Sequence, residues 1–478
     1  MTANMQRFIS IANRMPDKRQ AAARRADFEE IFGDYDPAAA AEQAARCSQC
    51  GIPYCQIHCP LQNNIPDWLM LAAQGRLEEA YELSSATNNM PEICGRICPH
   101  DRLCEGSCVI EAAGHGTIAI GAIERFITET AWTEGWVKPP TPNCQLGRSV
   151  GIIGAGPAGM AAGEQLRRQG YEVHVYDRYD RIGGLLVYGI PNFKLEKDIV
   201  ERRARLLADG GVVFHTGFEV GRDATMDELR TRHDAVVIAT GVYTSRDIAI
   251  PGVGLKNVIQ ALDYLIASNR KGLGDEVPDF DNGALDARDK DVVVVGGGDT
   301  AMDCVRTAVR QGAKSVKCLY RRNRDNMPGS LREVEHAEEE GVEFVWLAAP
   351  EAFLGNGHVN GVRTQRMRLG APDADGRRVP EPVGDGPFTI PADLVIKALG
   401  FDAEDLPGMF GCPDLALSQE GTLAVDEETM MTSLDGVFAA GDIVRGASLV
   451  VWAILDGRNA ATHIDAYIRA VERDGKAA

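Results

Sequence analysis

The sequence predicts an α/β protein in which two doubly wound nucleotide-binding units follow a mostly helical, cysteine-rich N-terminal region. Three observations carry that expectation: a strand, glycine turn, helix and strand in succession from Ser149, the same succession again from Asp291, and eight of twelve cysteines gathered between Cys47 and Cys108. The 478 residues suffice for two or three domains, each with its own core, and 45% hydrophobic with 25% charged residues is ordinary for a globular chain. A formal charge of −19 repels nucleic-acid backbones and anionic lipid, so neither is an expected partner. The longest apolar candidate, Ser448 to Leu455, is too short for a membrane helix and is soon followed by Asp456 and Arg458; the expected location is cytoplasmic.

Arg7, Arg14, Lys18, Arg19, Arg24 and Arg25 make the start of the chain locally basic, which reads as a docking arm or a solvated helix rather than a transit peptide. Asp36 then offers an N-cap and Pro37 a first helical residue, so Ala38 to Arg46 should be helix and Cys47 should stand at its end. Eight cysteines follow in two runs, Cys47-x2-Cys50-x4-Cys55-x3-Cys59-Pro60 and Cys94-x3-Cys98-Pro99-x5-Cys104-x3-Cys108. Thiolates at these spacings can surround a soft metal centre, and eight ligands suit two 4Fe-4S clusters. Disulfides would need an oxidising compartment, and no apolar secretory run opens the sequence. Zinc is the stronger rival, although zinc ribbons pair two CxxC knuckles and only one CxxC occurs here. Between the runs, Leu69, Met70, Leu77, Ala80, Tyr81 and Leu83 recur with roughly helical period across Ile65 to Ser84. Val137 to Pro142 is proline-rich and reads as a linker.

The first nucleotide unit carries Gly154-x-Gly156-Pro157-Ala158-Gly159 between a strand and a helix, and a second strand ends at Asp177. Gly154 permits the tight turn, Gly156 lets the backbone approach a pyrophosphate, Gly159 allows helix and strand to pack closely, and Asp177 can accept a ribose hydroxyl. The second unit repeats the turn as Gly296-x-Gly298-Asp299-Thr300-Ala301, but after its second strand stand Arg321, Arg322 and Arg324 where an acid would select NAD. Those cations favour a 2′-phosphate, so NADPH is the expected nucleotide there. Hydrophobic strands ending at Thr240-Gly241 and at Gly441-Asp442 complete the pattern.

This set resembles the two-dinucleotide-binding-domain flavoprotein reductases, in which the first and last motifs hold FAD and the inserted unit holds NAD(P)H. With the cysteine runs added, essentially the whole chain resembles the small (beta) subunits of bacterial NADPH-dependent glutamate synthases, and is similar to the N-terminal electron-input part of dihydropyrimidine dehydrogenase. No CxxC follows Cys108, which disfavours disulfide reduction. The resemblance implies two Rossmann-like domains with the NADPH domain inserted in the FAD domain: an iron-sulfur domain at 1–145, an FAD domain at 146–262 and 401–478, and an NADPH domain at 263–400. It implies FAD contacts from Gly184, Leu185, Lys194, Val220, Asp442, Ser448, Leu449 and Val450, and places Ala398 and Gly400 on the NADPH side. It divides the cluster ligands as Cys47, Cys50, Cys55 and Cys108 for one and Cys59, Cys98 and Cys104 for the other, with Glu124 as fourth ligand and Cys94 as its rival.

The implied activity is electron input. NADPH would reduce FAD by hydride transfer without a catalytic side chain, and electrons would leave through two 4Fe-4S clusters. The implied partner is a large (alpha) subunit carrying FMN and a glutaminase, which makes L-glutamate from L-glutamine and 2-oxoglutarate. The same scaffold could serve ferredoxin or another acceptor, and a binding subunit with vestigial nucleotide sites is the reading of a different class.

Overall fold

Asp36 opens the N-terminal helical domain by accepting the Ala39 N–H at 2.8 Å, with Pro37 at the first helical position of Pro37–Ala44. The computed structural model describes residues 6–372, 378–384 and 386–477. Cys47 follows that helix closely, its N–H donating to the Ala44 carbonyl at 3.1 Å. The helical stretch after the first cysteine run divides into Ile65–Ala73 and Leu77–Thr87, because Gly75 takes φ +74° between them. Helices Pro91–Ile97 and Ile120–Thr133 cross with little room: a Cβ on Gly95 would stand 2.9 Å from the Gly121 carbonyl oxygen. Trp68, Leu69, Ile123 and Ile127 are buried in this domain's core, while Ile93 packs into the core of the first nucleotide unit.

The two nucleotide units are five-stranded parallel sheets that share a central arrangement and differ in the origin of their outer strands. The first runs Val437–Ala439, Ala235–Ile238, Ser149–Ile153, Glu172–Asp177, Val212–Thr216. The second runs Val258–Gln260, Leu394–Lys397, Asp291–Val295, Ser315–Tyr320, Glu343–Trp346. In both, the strand leading into the glycine turn is central, which puts the turn at the carboxyl edge of the sheet. The central strands are apolar along their length, as burial on both faces requires. Sheet membership changes earlier than the expected boundary at 262, since Val258–Gln260 already pairs in the second sheet. A two-stranded ribbon, Thr244–Ser245 with Phe401–Asp402, marks both crossings between the units.

One element was not anticipated. Ala348–Asn356, His358–Pro372, Arg378–Pro382 and Phe388–Pro391 form an antiparallel sheet on the second unit, turned at Gly357 with φ +79°. The proline-rich segment after Val137 is irregular, as expected, yet it is not free: a Cβ on Gly210 would meet Pro140 Cδ at 2.4 Å.

Two long-range contacts position the site. The final helix, Val450–Ala477, lies on Pro157–Gln169 closely enough that a Cβ on Gly457 would meet the Ala158 carbonyl oxygen at 2.1 Å, which carries Ser448–Val450 to the first glycine turn. The basic N-terminal stretch is a docked arm rather than a solvated helix. Arg24, 2% exposed, pairs with Glu339 at 2.7 Å and Glu340 at 3.1 Å. Glu30 receives Arg96 at 2.7 Å and Arg125 at 2.8 Å from the helical domain. No helix among the described residues is long and apolar enough to cross a membrane.

Candidate functional site

The first glycine turn is shaped by what a side chain would strike. Gly154 has φ +109°, and a Cβ there would lie 2.3 Å from the Ala239 carbonyl oxygen. A Cβ on Gly159 would lie 1.9 Å from the Gly154 carbonyl oxygen. Gly156 instead faces open space, with nothing within 4 Å of the missing Cβ, so a phosphate can approach the backbone at the N-terminus of Pro157–Gln169.

A cavity at this turn gathers residues from both nucleotide units. Gly154, Gly156, Pro157 and Ala158 come from the turn, Asp177 from the end of the second strand, and Gly184 and Leu185 from the segment after it. Thr240 and Gly241 follow the middle strand, while Asp442 and Ser448–Val450 come from the C-terminal part. Val220 lies in an adjoining cavity that shares Gly154, Asp177 and Thr240. Gly159 packs inside the turn, and Gly441, at φ +80°, passes beside Ala158. Asp177 also braces the turn that a ribose would share, its carboxylate accepting the Ala155 N–H at 2.7 Å and the Tyr179 N–H at 2.8 Å. Burial pushes Asp177 up and lifts Asp442 to about 6.

Lys194 lines a further adjoining cavity, which shares Ile190, Asp303 and Ser448–Val450 with the first. Its ammonium is drawn across to the second unit, 2.9 Å from Asp303 and 3.7 Å from Glu333. Although burial opposes it, those carboxylates hold Lys194 cationic, while burial lifts Asp303 to about 6. Sequence reasoning missed Asp303, Ile190 and Tyr243 as cavity walls. Tyr243, two residues past Gly241, was within reach of the motif; Arg178 lies over its ring at 4.7 Å and pairs with Glu404 at 2.8 Å.

The second turn repeats the geometry. Gly296 has φ +151°, a Cβ there would stand 2.2 Å from the Ala398 carbonyl oxygen, and Gly298 faces open space. Ala301 is fully buried in Asp299–Arg310, Thr300 reaches the first cavity, and Gly400 accepts the Arg246 N–H at 2.9 Å. Asp299 accepts the Ser330 N–H at 3.0 Å and so holds the loop before Ser330 against the turn. The three arginines separate in role. Arg324 pairs with Glu338 at 3.0 Å, Arg322 donates through Nε to the Arg378 carbonyl at 2.8 Å, and Arg321 is exposed with no ion pair among the described residues. Arg321 alone of the three thus keeps its guanidinium uncommitted among the described residues.

The thiols fall into two neighbourhoods. Burial raises Cys47 to about 11 and Cys55 to about 12, with Cys50 and Cys108 adding to both shifts. Burial likewise raises Cys59 to about 11, with Glu124 and Cys94 as its charged neighbours. Cys98 is raised by its hydrogen bond with Cys94, by burial and by Glu124; Cys104 is raised by burial and by Glu105, with Cys59, Glu124 and, from the first set, Cys55 adding to the shift. Glu124 is thus buried next to three thiols. Its Oε1 receives Asn63 at 3.5 Å, Ser84 at 3.2 Å and Asn88 at 3.3 Å, and burial lifts it to about 7. Oε2 receives no hydrogen bond among the described residues. One oxygen tied down and one left open suits a ligand oriented from behind. Cys94 keeps its claim through Cys98, with Asn88 3.7 Å from its sulfur. Among the described residues no three His, Cys, Asp or Glu side chains converge closely enough for a single ion. Eight thiols crowded between Cys47 and Cys108 suit iron-sulfur ligation better than a lone tetrahedral zinc.

The nucleotide and thiol regions adjoin. The cavity beside Lys194 is also lined by Cys98 and Pro99, and it shares Ile190, Asp303 and Ser448–Val450 with the cavity at the first turn.

Known proteins match both halves of the chain. The family described as dihydropyrimidine dehydrogenase domain II, 4Fe-4S cluster, matches residues 24–136, and that described as pyridine nucleotide-disulphide oxidoreductase matches residues 148–457. A glutamate synthase (NADPH) small chain from Azospirillum brasilense is 66% identical, covering 97% of this chain and 96% of the relative. The chain belongs to the glutamate synthase small-chain family. Another member, from Escherichia coli strain K12, is 45% identical and covers 97% of this chain and 99% of its own length. Among solved structures, Mycobacterium tuberculosis FprA in complex with NADPH has a TM-score of 0.58 at 19% identity, covering 69% of this chain and 86% of that one, a likeness of fold. The chain is an oxidoreductase with a 4Fe-4S domain ahead of a pyridine-nucleotide reductase.

Proposed function

We propose that this chain is the electron-input subunit of NADPH-dependent glutamate synthase, and that a large subunit carrying FMN and a glutaminase uses its electrons to make L-glutamate from L-glutamine and 2-oxoglutarate. When bound, FAD, NADPH and two 4Fe-4S clusters would supply hydride acceptance and one-electron transfer. The chain's residues do the rest by holding and orienting. Gly154 to Gly159 open the backbone to a pyrophosphate, and Asp177 and Asp442 accept hydroxyl or amide hydrogens. Gly298 and Arg321 receive the second dinucleotide. Cys47, Cys50, Cys55 and Cys108 hold one cluster, and Cys59, Cys98, Cys104 and Glu124 the other.

The observation that carries the reading is the shared wall: Ser448–Val450 lines both the cavity at the first glycine turn and the one that reaches Cys98. The names of the relatives support the substrate assignment. Anaerobic titration with NADPH tests it, together with iron and acid-labile sulfide per flavin, for which about eight irons are expected. A flavin spectrum that NADPH does not bleach would sink the reductase. Copurification with a ferredoxin-linked partner, and none with a large amidotransferase chain, would redirect the electrons elsewhere.

A further inference from the structure

The first thiol neighbourhood sits under a surface unlike the rest of the chain. From Cys47 to Pro66 there is no Asp, Glu, Lys or Arg, although charged residues make up 25% of the sequence and the net charge is −19. Large apolar side chains on that stretch point to water: Ile52 is 62% exposed, Tyr54 46% and Ile57 57%. Val109, next to Cys108, is 39% exposed. These four flank Cys50, Cys55 and Cys108, thiols of one neighbourhood. Tyr54 is braced rather than loose, its ring 6.1 Å from His58, whose Nδ1 lies 2.9 Å from the Tyr54 carbonyl oxygen.

Isolated exposed hydrophobes are ordinary, but an aromatic and three aliphatics on a charge-free stretch match the composition of an interface core, where charge is depleted and aromatics are enriched. The neighbouring charges are few: Glu105 is buried against Arg332, and Glu111 lies beyond Val109. An otherwise strongly acidic molecule would repel a second copy of itself over most approaches. A partner meeting it here gains apolar contact without facing that charge.

We infer that Ile52, Tyr54, Ile57 and Val109 form the docking face for the protein that accepts this chain's electrons, a partner offering an apolar, charge-poor patch beside its own redox centre. The inference rests on the proposed function, in which electrons leave from the thiol domain and the acceptor is the large chain of glutamate synthase. Placement over the Cys47, Cys50, Cys55 and Cys108 neighbourhood makes this the exit side, because the other neighbourhood, through Cys98, adjoins the nucleotide cavities.

The test uses the flavin- and iron-loaded chain with the purified large chain of the same organism. Ile57→Asp and Ile52→Asp should each weaken binding at least about tenfold, while Leu417→Asp, a 43% exposed leucine of another region, should leave it unchanged. Iron content and NADPH-driven reduction of ferricyanide should match wild type in all three. Hydrogen exchange on the wild-type complex gives an independent readout, with amides 52–58 and 109–113 slowed by the partner; it decides alone if a variant loses iron. Undiminished binding by both variants, or no protection of those amides, overturns the docking face and leaves the proposed function standing. A wild-type homodimer that Ile57→Asp dissolves overturns it in favour of a second copy. Failure of the wild-type chain to bind the large chain at all removes the proposed function, and this face with it.

Discussion

Glu340→Gln should loosen the second nucleotide unit more than any other single exchange of one carboxylate. Glu340 is fully buried and accepts Arg306 through Nε and Nη2 at 3.0 Å, Arg310 at 2.6 and 3.0 Å, and Arg24 at 3.1 Å. Burial alone would raise its pKa, but Arg310 and Arg306 outweigh burial and hold it at about 2, against an ordinary 4.5. At about 1.4 kcal/mol for each tenfold change in proton affinity, that depression corresponds to about 3 kcal/mol. Glutamine keeps an acceptor but leaves three buried guanidinium groups short of one negative charge, a situation that typically costs about 3–5 kcal/mol. For a unit of this size about 3 kcal/mol lowers the melting temperature by roughly 6–12 °C. The sign with pH follows from the depressed value: the contribution is complete above about pH 4.5 and is lost as pH falls toward 2. The assay is thermal unfolding of loaded wild type and variant at pH 7 and at successively lower pH. Melting temperatures within about 1 °C at pH 7, or a gap that widens on acidification, would refute the reasoning.

Arg321→Ala should reduce the preference for NADPH over NADH by roughly 10- to 150-fold in kcat/KM, the worth of one charge-assisted hydrogen bond; an unchanged ratio would deny it the 2′-phosphate. Gly156→Ala adds a Cβ in open space, so the protein should melt like wild type yet retain less flavin, and full flavin content would count against the phosphate approach. Gly159→Ala forces a Cβ to 1.9 Å from the Gly154 carbonyl oxygen and should destabilise by about 1–3 kcal/mol in thermal unfolding, whatever it does to flavin. Glu124→Ala should drop iron from about eight to about four per chain with Cys94→Ser retaining about eight; the reverse pattern would give the ligand position to Cys94.

The site was legible wherever chemistry is local. Gly159 is crowded by the Gly154 carbonyl of its own turn, and Gly154 and Gly296 by the neighbouring strand, while Gly156 and Gly298 stand open; the short spacing between these glycines is what announced them. The Asn356-Gly357 turn of the antiparallel sheet is also a local signal, one that sequence reading passed over because the strands around it alternate weakly. The ion pair of Lys194 was not legible, since the carboxylate that draws it stands at position 303. Glu124 was singled out from a family spacing. Its burial depends on Asn63, Ser84 and Asn88 on other elements.

The sequence by itself determined the class of fold, the two glycine turns, the arginine mark on the second unit and the crowd of soft donors, because each is written in residues a few positions apart. Only the tertiary structure decided that Arg322 and Arg324 are engaged by Arg378 and Glu338 while Arg321 stays exposed, that Lys194 pairs with Asp303, and that Arg24 is buried against Glu340. Those outcomes depend on contacts between segments up to 316 positions apart, and burial and charge balance act at such contacts through distance in space rather than order in the chain.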